Sequence, residues 1–353
     1  EGDGIGPEIM RPTLDILSKL SSAASGYDLT FSIVPAGATH YAKSGEALPE
    51  SSIDIARGAS AILLSAMGLP DIRYPDGTEI SPQIDIRKRL DLFAGVRPVR
   101  VHAAALSPLT IPKGKEIDFV LIRESTEGLF YTQGTGEVSE NEARETLRIT
   151  REVSEKLFQF AFALAGQRKS QGRGPSRVTC VDKANVFRAF AFFREIFDTE
   201  ATRHPEIASS HAYVDAMALW MVQRPWDFDV LVTENMFGDI LSDLGAGIMG
   251  GLGVAPSADI GLEHAVFQPC HGSAPDIAGQ GLANPFAMIL SAAMMLDWLG
   301  VKHDHPKLLA DGARLQSAVD RVLAQGKVLT RDLGGHAGTD AAAAAVSAAL
   351  DEA

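Results

Sequence analysis

With 353 residues and a formal net charge of −13, the chain is long enough for one large domain or two ordinary ones. It is too acidic for a nucleic-acid partner, because phosphate binding needs a basic surface. Hydrophobic residues make up 46% and charged residues 22%, no apolar run reaches the roughly 18 residues of a membrane span, no secretory pattern opens the chain, and two cysteines are too few for a disulfide framework. A globular protein of the reducing cytoplasm, with neither nucleic acid nor membrane as partner, is expected.

The opening "EGDGIGPE" reads as a strand-to-helix turn with Pro7 in the first turn of a helix over 6–20, and no strand precedes it, so the chain is expected to begin just after its first strand. Further strands are expected at 29–34, 61–64, 119–122, 177–181 and 230–233. Helices are expected at 142–165, 185–197, 215–222, 285–299 and 337–350. This alternation predicts an α/β architecture with a largely parallel sheet. "SQGRGP" at 170–175 is a loop, and the Gly- and Pro-rich stretches near 96–107 and 245–256 read as crossings between two domains, 1–97 plus 246–353 and 98–245.

In "TENMFGDILSDLGAGIMGGLG" the string of Gly245, Gly247 and Gly250 matches G-x-G-x-x-G. A dinucleotide loop of that kind must follow a strand and open a helix, whereas this one follows a helix, so it reads as a helix end entering a Gly-rich crossing. Asp239 and Asp243 lie four apart on one helical face, with Met236, Ile240, Leu241 and Leu244 on the other sides. Such a pair is either a solvated acidic face or a site whose charge a cation offsets. The apolar surroundings favour the cation, and hard oxygen ligands suit Mg²⁺ or Mn²⁺.

Arg87 and Arg97 bracket "RKRLDLFAGVR", and Arg123 ends the apolar strand "DFVLIR". Each alone is an ordinary ion-pair residue; together they make a clamp for a di- or tricarboxylate. Lys183 follows an apolar strand in "TCVDKANVF" and is either a solvated strand-end lysine or a general base. The turn-rich "PCHGSAPDIAGQGLANP" at 269–285 is either a surface loop or a wrap for phosphate or adenosine.

Taken in order, "GDGIGPE", "IRKRLDLFAGVRP", "IRESTEG", "VDKANV", "DAMA", "NMFGDILSDL", "HGSAPDIAGQGLANP" and "TRDLGG" make the chain resemble the β-decarboxylating, metal-dependent hydroxyacid dehydrogenases. That family holds the isocitrate, isopropylmalate, homoisocitrate and tartrate/D-malate enzymes. The resemblance implies a two-domain α/β fold distinct from the Rossmann fold, with 98–245 as the smaller domain carrying the metal ligands and the dimer interface. It implies that Arg87, Arg97 and Arg123 hold malate carboxylates, that Ser81 faces the C3 substituent, and that Asp239, Asp243 and a partner subunit's Asp215-equivalent bind Mg²⁺ or Mn²⁺. Lys183, assisted by Asp215, is implied as the base at the C2 hydroxyl. Asn185 is implied beside the nicotinamide, and His271, Gly272, Ser273, Ala274, Asp276 and Asn284 around the rest of NAD. The active sites are then shared across a homodimer. Asp276 stands where a carboxylate meets the adenosine ribose and repels a 2′-phosphate; NADP enzymes of the family carry a Lys–Tyr pair where this chain has Asp276–Ile277.

Two places depart from the family pattern. Phe130 stands where a tyrosine usually donates a proton to the enolate carbon, with Tyr131 next door. Either Tyr131 shifts in, or another donor or water serves, or decarboxylation is impaired. Before Arg87, "EISPQID" offers Ser81, Gln83 and Ile84 where isopropylmalate enzymes place leucines, and Gln268 stands where many members have Glu. The expected activity is NAD- and Mg²⁺/Mn²⁺-dependent oxidation, usually decarboxylating, of a 3-substituted (2R)-malate, with 3-isopropylmalate slightly ahead of tartrate/D-malate or 3-methylmalate. A catalytically weak regulatory subunit is the alternative from another class.

Overall fold

A computed structural model describes residues 1–21 and 26–352. Among them the strands are, in chain order, β1 (Ile62–Leu63), β2 (Ala94–Arg100), β3 (Asp118–Glu124), β4 (Glu137–Val138), β5 (Ala143–Arg144), β6 (Arg177–Asp182), β7 (Ala208–Tyr213), β8 (Val230–Thr233), β9 (Pro256–Ile260) and β10 (Ala265–Pro269). The chain forms two compact units, one of Glu1–Leu90, Gly250–Ala258 and Leu262–Ala353, the other of Asp91–Met249 and Asp259–Gly261. No helix of the described residues is long and apolar enough to cross a membrane.

In the first unit the strand order is β1-β10-β9, with β1 parallel to β10 and Ile62 opposite Val266. Helix Gly6–Leu20 starts on Pro7, carries Glu8 at its positive end and Lys19 at its negative end, and buries Ile9, Ile16 and Leu17. Helix Phe286–Lys302 is apolar nearly all round and correspondingly buried, from Phe286 to Leu299. Helix Pro306–Gln325, not among the expected elements, is capped by His305, whose ring accepts from the Leu308 amide, and ends on Gly326 at φ 64°. The strand expected at 29–34 does not form. A strand is made by its neighbour, and residues 28–34 instead line an apolar slot of about 400 Å³ whose other walls include Met10, Ile62 and Leu64.

In the second unit the order is β2-β3-β8-β6-β7. β2 runs antiparallel to β3, setting Arg97 opposite Leu121, while β3, β8, β6 and β7 are mutually parallel. β3, β6 and β8 read as continuous apolar runs because both faces are covered. Helix Arg151–Ser170 packs on helix Arg188–Ala201 through Phe158 and Phe193, whose ring centroids lie 4.7 Å apart. That first helix begins at Arg151 and not at 142, because Thr150 caps it by accepting from the Val153 amide and the preceding residues pair as β4 and β5.

Helix Asn235–Met249 takes up Gly245 and Gly247 within its own length, and Gly250 leaves it at φ 115°. A Cβ on Gly245 would stand 2.6 Å from Val99 Cγ2, so this glycine lets the helix lie against β2. The glycine string is a packing device and not a dinucleotide loop.

Candidate active site

β3 and helix Asn235–Met249 build the charged patch of the second unit. Arg123 ends β3 and is buried; Gly238 has no side chain because a Cβ there would meet Arg123 Cβ and Cγ at 2.6 Å. Arg123 Nη1 pairs with Asp239, and its Nη2 donates to Asn235 Oδ1 at 2.7 Å. One turn on, burial and the neighbouring Asp239 charge push the Asp243 carboxyl up, against the pull of Arg123 and Arg97. The structure thus brings Asp239, Asp243, Arg97 and Arg123 into one electrostatic neighbourhood, two carboxylates at i, i+4 with two guanidiniums that offset their charge.

Arg97 lies in β2, buried, with Nη2 donating to Asp259 Oδ1 at 3.2 Å. Burial raises Glu124 to about 7, and its carboxylate accepts from the Thr126 hydroxyl at 2.7 Å and the Glu127 amide, tying the turn after β3. Phe130 places its ring 5.9 Å from Arg123 Cζ. Tyr131 is half-exposed and stacks 4.2 Å from Arg148 Cζ, so it is engaged away from the place that Phe130 takes.

Lys183 follows β6, and its Nζ lies 2.5 Å from Oδ1 of Asp215, in the first turn of helix Val214–Gln223. The hydrogen bond from Lys183 holds the Asp215 carboxyl below the usual range. Among the described residues no three His, Cys, Asp or Glu side chains gather as a cation site, so Asp215 does not join Asp239 and Asp243 within one chain. Asn185 is exposed in the turn after Lys183.

In the first unit, Arg87 is buried in helix Pro82–Arg89, and Ser81 stands just before that helix with its hydroxyl on the Glu79 carbonyl at 2.9 Å. Gln83 lies one turn before Arg87, its Oε1 buried without a hydrogen-bond partner. The loop after β10 borders a cavity of about 450 Å³ lined by Ile5, Gly253, His271, Ala274, Asn284 and Asp332. Asn284 Nδ2 donates to Asp332 Oδ2 at 2.9 Å, and a Cβ on Gly253 would stand 2.2 Å from that oxygen. The Ser273 hydroxyl binds the Gly68 carbonyl and the Ser273 carbonyl accepts from Ile5 N at 2.8 Å, which ties the loop to the "GDGIGPE" turn. Ala274 sits at φ 36°, Gly272 and Asp276 are exposed, and burial pushes the His271 imidazole down while leaving its Nε2 without a hydrogen-bond partner.

Asn235 and Asp259 went unremarked in the sequence, yet each holds a clamp arginine.

The fold and this collection of groups are those of a dehydrogenase that handles a small anion. The sequence profile of isocitrate/isopropylmalate dehydrogenase matches residues 1–349. The 3-isopropylmalate/3-methylmalate dehydrogenase of Methanocaldococcus jannaschii is 41% identical over 342 residues, covering 96% of this chain and 94% of that protein. The 3-isopropylmalate dehydrogenase of Streptococcus thermophilus is 40% identical, covering 98% and 96%. Among solved structures, isocitrate dehydrogenase from Methylococcus capsulatus superposes with a TM-score of 0.85 at 33% identity, covering 99% of this chain and 97% of its own. A β-decarboxylating dehydrogenase from Thermococcus kodakarensis gives 0.79 at 32% identity, covering 99% and 94%. The chain belongs to the isocitrate/isopropylmalate dehydrogenase family.

Proposed function

We propose that this protein oxidises a 3-substituted (2R)-malate with NAD and Mg²⁺ or Mn²⁺, usually with loss of the C3 carboxylate, and that 3-isopropylmalate leads the candidate substrates. The observation that carries the reading is the patch of Asp239 and Asp243 with Arg97 and Arg123. The names of the relatives, which specify 3-isopropylmalate and 3-methylmalate, favour those substrates over tartrate or D-malate.

The residues fit both absent groups. Asp239 and Asp243 offer hard oxygens at i, i+4 on one helix, the ligand type that suits a hard divalent cation. Asp215 of a second copy would complete the set. For NAD, the cavity beside His271 and Asn284 offers an unpartnered imidazole nitrogen, and exposed Asp276 suits a free ribose 2′-hydroxyl and repels a 2′-phosphate. When bound, NAD supplies the hydride acceptor and the divalent ion supplies positive charge against which oxygen charge can develop.

The chain's own part is binding, orientation and proton transfer. Arg87, Arg97 and Arg123 grip the substrate carboxylates. Lys183 Nζ takes the C2 hydroxyl proton, with Asp215 holding the ammonium that results. Phe130 has no proton to give to the enolate carbon left when the carboxylate departs, so that proton comes from another group or from water.

A second copy of the chain is the partner we propose. Leu219, Val222, Met236 and Ile240 leave an exposed apolar face on helices Val214–Gln223 and Asn235–Met249, and a symmetric homodimer would cover it while bringing Lys183 and Asp215 of one copy to the aspartates of the other. The test is a panel of (2R)-malates with and without Mn²⁺, reading NADH and CO₂ together. Metal-dependent NADH from a 3-substituted malate is expected; no turnover of any of them removes the reading. Mixing Lys183→Ala with Asp239→Asn chains should restore activity that neither has alone, and silence in that mixture would remove the shared site.

A further inference from the structure

The next step rests on the reading that Arg97 grips a substrate carboxylate. A guanidinium does that well only if its plane is set before the substrate arrives, since ordering a long side chain on binding costs affinity. Arg97 meets that condition through one partner 162 residues away and one next door. Its Nη2 donates to Asp259 Oδ1 at 3.2 Å and its Nη1 to the Val96 carbonyl at 3.1 Å. The same Asp259 oxygen accepts from Ser125 Oγ at 3.1 Å. Asp259 and Ser125 are both 0% exposed. Room for this meeting exists because residue 95 is glycine: a Cβ there would stand 2.5 Å from Ser125 Oγ and 3.1 Å from Asp259 Oδ1.

The two arginines of the second unit are therefore held differently. Arg123 leans on Asp239, whose side chain is 63% exposed and which the proposed function gives to a cation. Asp259 faces no solvent, so its pairing with Arg97 is sealed away from water inside the unit. We infer that Asp259, steadied by Ser125, is a positioning residue that fixes the Arg97 guanidinium for carboxylate recognition. The carboxylate sets the fork's plane and cancels part of its charge, so Arg97 selects its ligand by the direction of its N–H groups more than by net charge.

Steady-state kinetics of the full-length enzyme, with 3-isopropylmalate and (2R)-malate at saturating NAD and Mn²⁺, test this. Asp259→Ala should raise the substrate KM by roughly tenfold to a hundredfold while kcat moves by less than about threefold, because the lost term is substrate orientation and not proton transfer. Asp259→Asn keeps an acceptor for Nη2 and should recover most of that KM. Ser125→Ala should raise KM by about threefold. A purely structural Asp259 predicts lowered thermal stability with KM unmoved in all three variants, and that result overturns the inference. If Asp259→Ala does not fold, an unmoved KM in Ser125→Ala overturns it alone. Arg97→Lys is the control that separates the two levels. A raised KM there with no effect in the others condemns only the positioning role, and an unmoved KM there condemns the carboxylate reading as well.

Discussion

The charged patch around β3 and the loop after β10, the proposed seats of substrate and NAD, are built by opposite means. In the patch the anion's partners are side-chain charges, and each is already matched inside the fold: Arg97 by Asp259, Arg123 by Asp239 and Asn235, Lys183 by Asp215. In the loop the work falls to backbone and small residues: Ser273 is pinned through its carbonyl, Gly253 leaves room for Asp332, and Ala274 adopts a positive φ. Buried charges that cannot be shed demand counter-charges before any ligand arrives. A surface that meets a neutral sugar and base needs shape and a few polar atoms. The two regions should therefore respond independently to mutation, and the following experiments probe that independence.

The largest effect is expected at Lys183. Lys183→Ala should lower turnover by about a thousandfold or more, the scale of a lost general base, while NAD affinity measured by fluorescence titration stays put. Undiminished turnover would take Lys183 out of the mechanism. A parallel loss of NAD affinity would show that the two regions are coupled after all.

Next comes stability of the patch itself. Glu124 is raised by burial to about 7 from 4.5, so between those values the folded chain holds a proton that the unfolded chain has released. Stability is therefore highest below the unfolded value and falls as pH climbs through the window, by up to about 3 kcal/mol for a shift of this size. Glu124→Gln should flatten that slope in urea unfolding compared at about pH 5 and about pH 7.5. An unchanged slope would place the pH dependence on another group.

How far the sequence spoke follows the reach of each interaction. Asp239 and Asp243 were legible because one helix turn joins them, and Arg123 because it ends an apolar strand. Rejecting the Gly245, Gly247 and Gly250 string needed only the order of helix and strand. Asp259 stayed silent because its partner lies 162 residues away, and Asn235 because Arg123 lies 112 away; neither spacing has a local signature. The strand expected at 29–34 had the right composition, but composition does not provide a neighbour. Helix Pro306–Gln325 carried a readable stripe in Leu308, Leu315, Val319 and Val322, and its histidine cap lies outside the usual Ser, Thr, Asp and Asn.

A smaller effect tests the loop alone. Asp276→Lys replaces a group that repels a 2′-phosphate with one that attracts it, and should shift the NADP-to-NAD ratio of kcat/KM by about tenfold to a hundredfold. The KM for malate should not move, since Asp276 is exposed in the loop after β10 and Arg87, Arg97 and Arg123 lie on other elements. A ratio that stays with NAD would remove Asp276 from cofactor choice.

The smallest change concerns Phe130, and it sharpens the contrast within the patch. The ring lies 5.9 Å from Arg123 Cζ, so position 130 faces the clamp, whereas Tyr131 is spent on Arg148 at 4.2 Å. A hydroxyl at 131 is thus held by a neighbour outside the clamp, and bringing it in means giving up that cation–π contact, worth about 0.5–1 kcal/mol at an exposed site. Phe130→Tyr adds one oxygen to a ring already in place and needs no such exchange. It should raise the ratio of CO₂ released to NADH formed by a few fold, with NADH formation itself within about twofold, because protonating carbon is a separate step from removing hydride. Tyr131→Phe should leave the ratio alone. If Tyr131→Phe lowers the ratio and Phe130→Tyr does nothing, the proton reaches carbon through Tyr131, and the stacking on Arg148 opens during turnover.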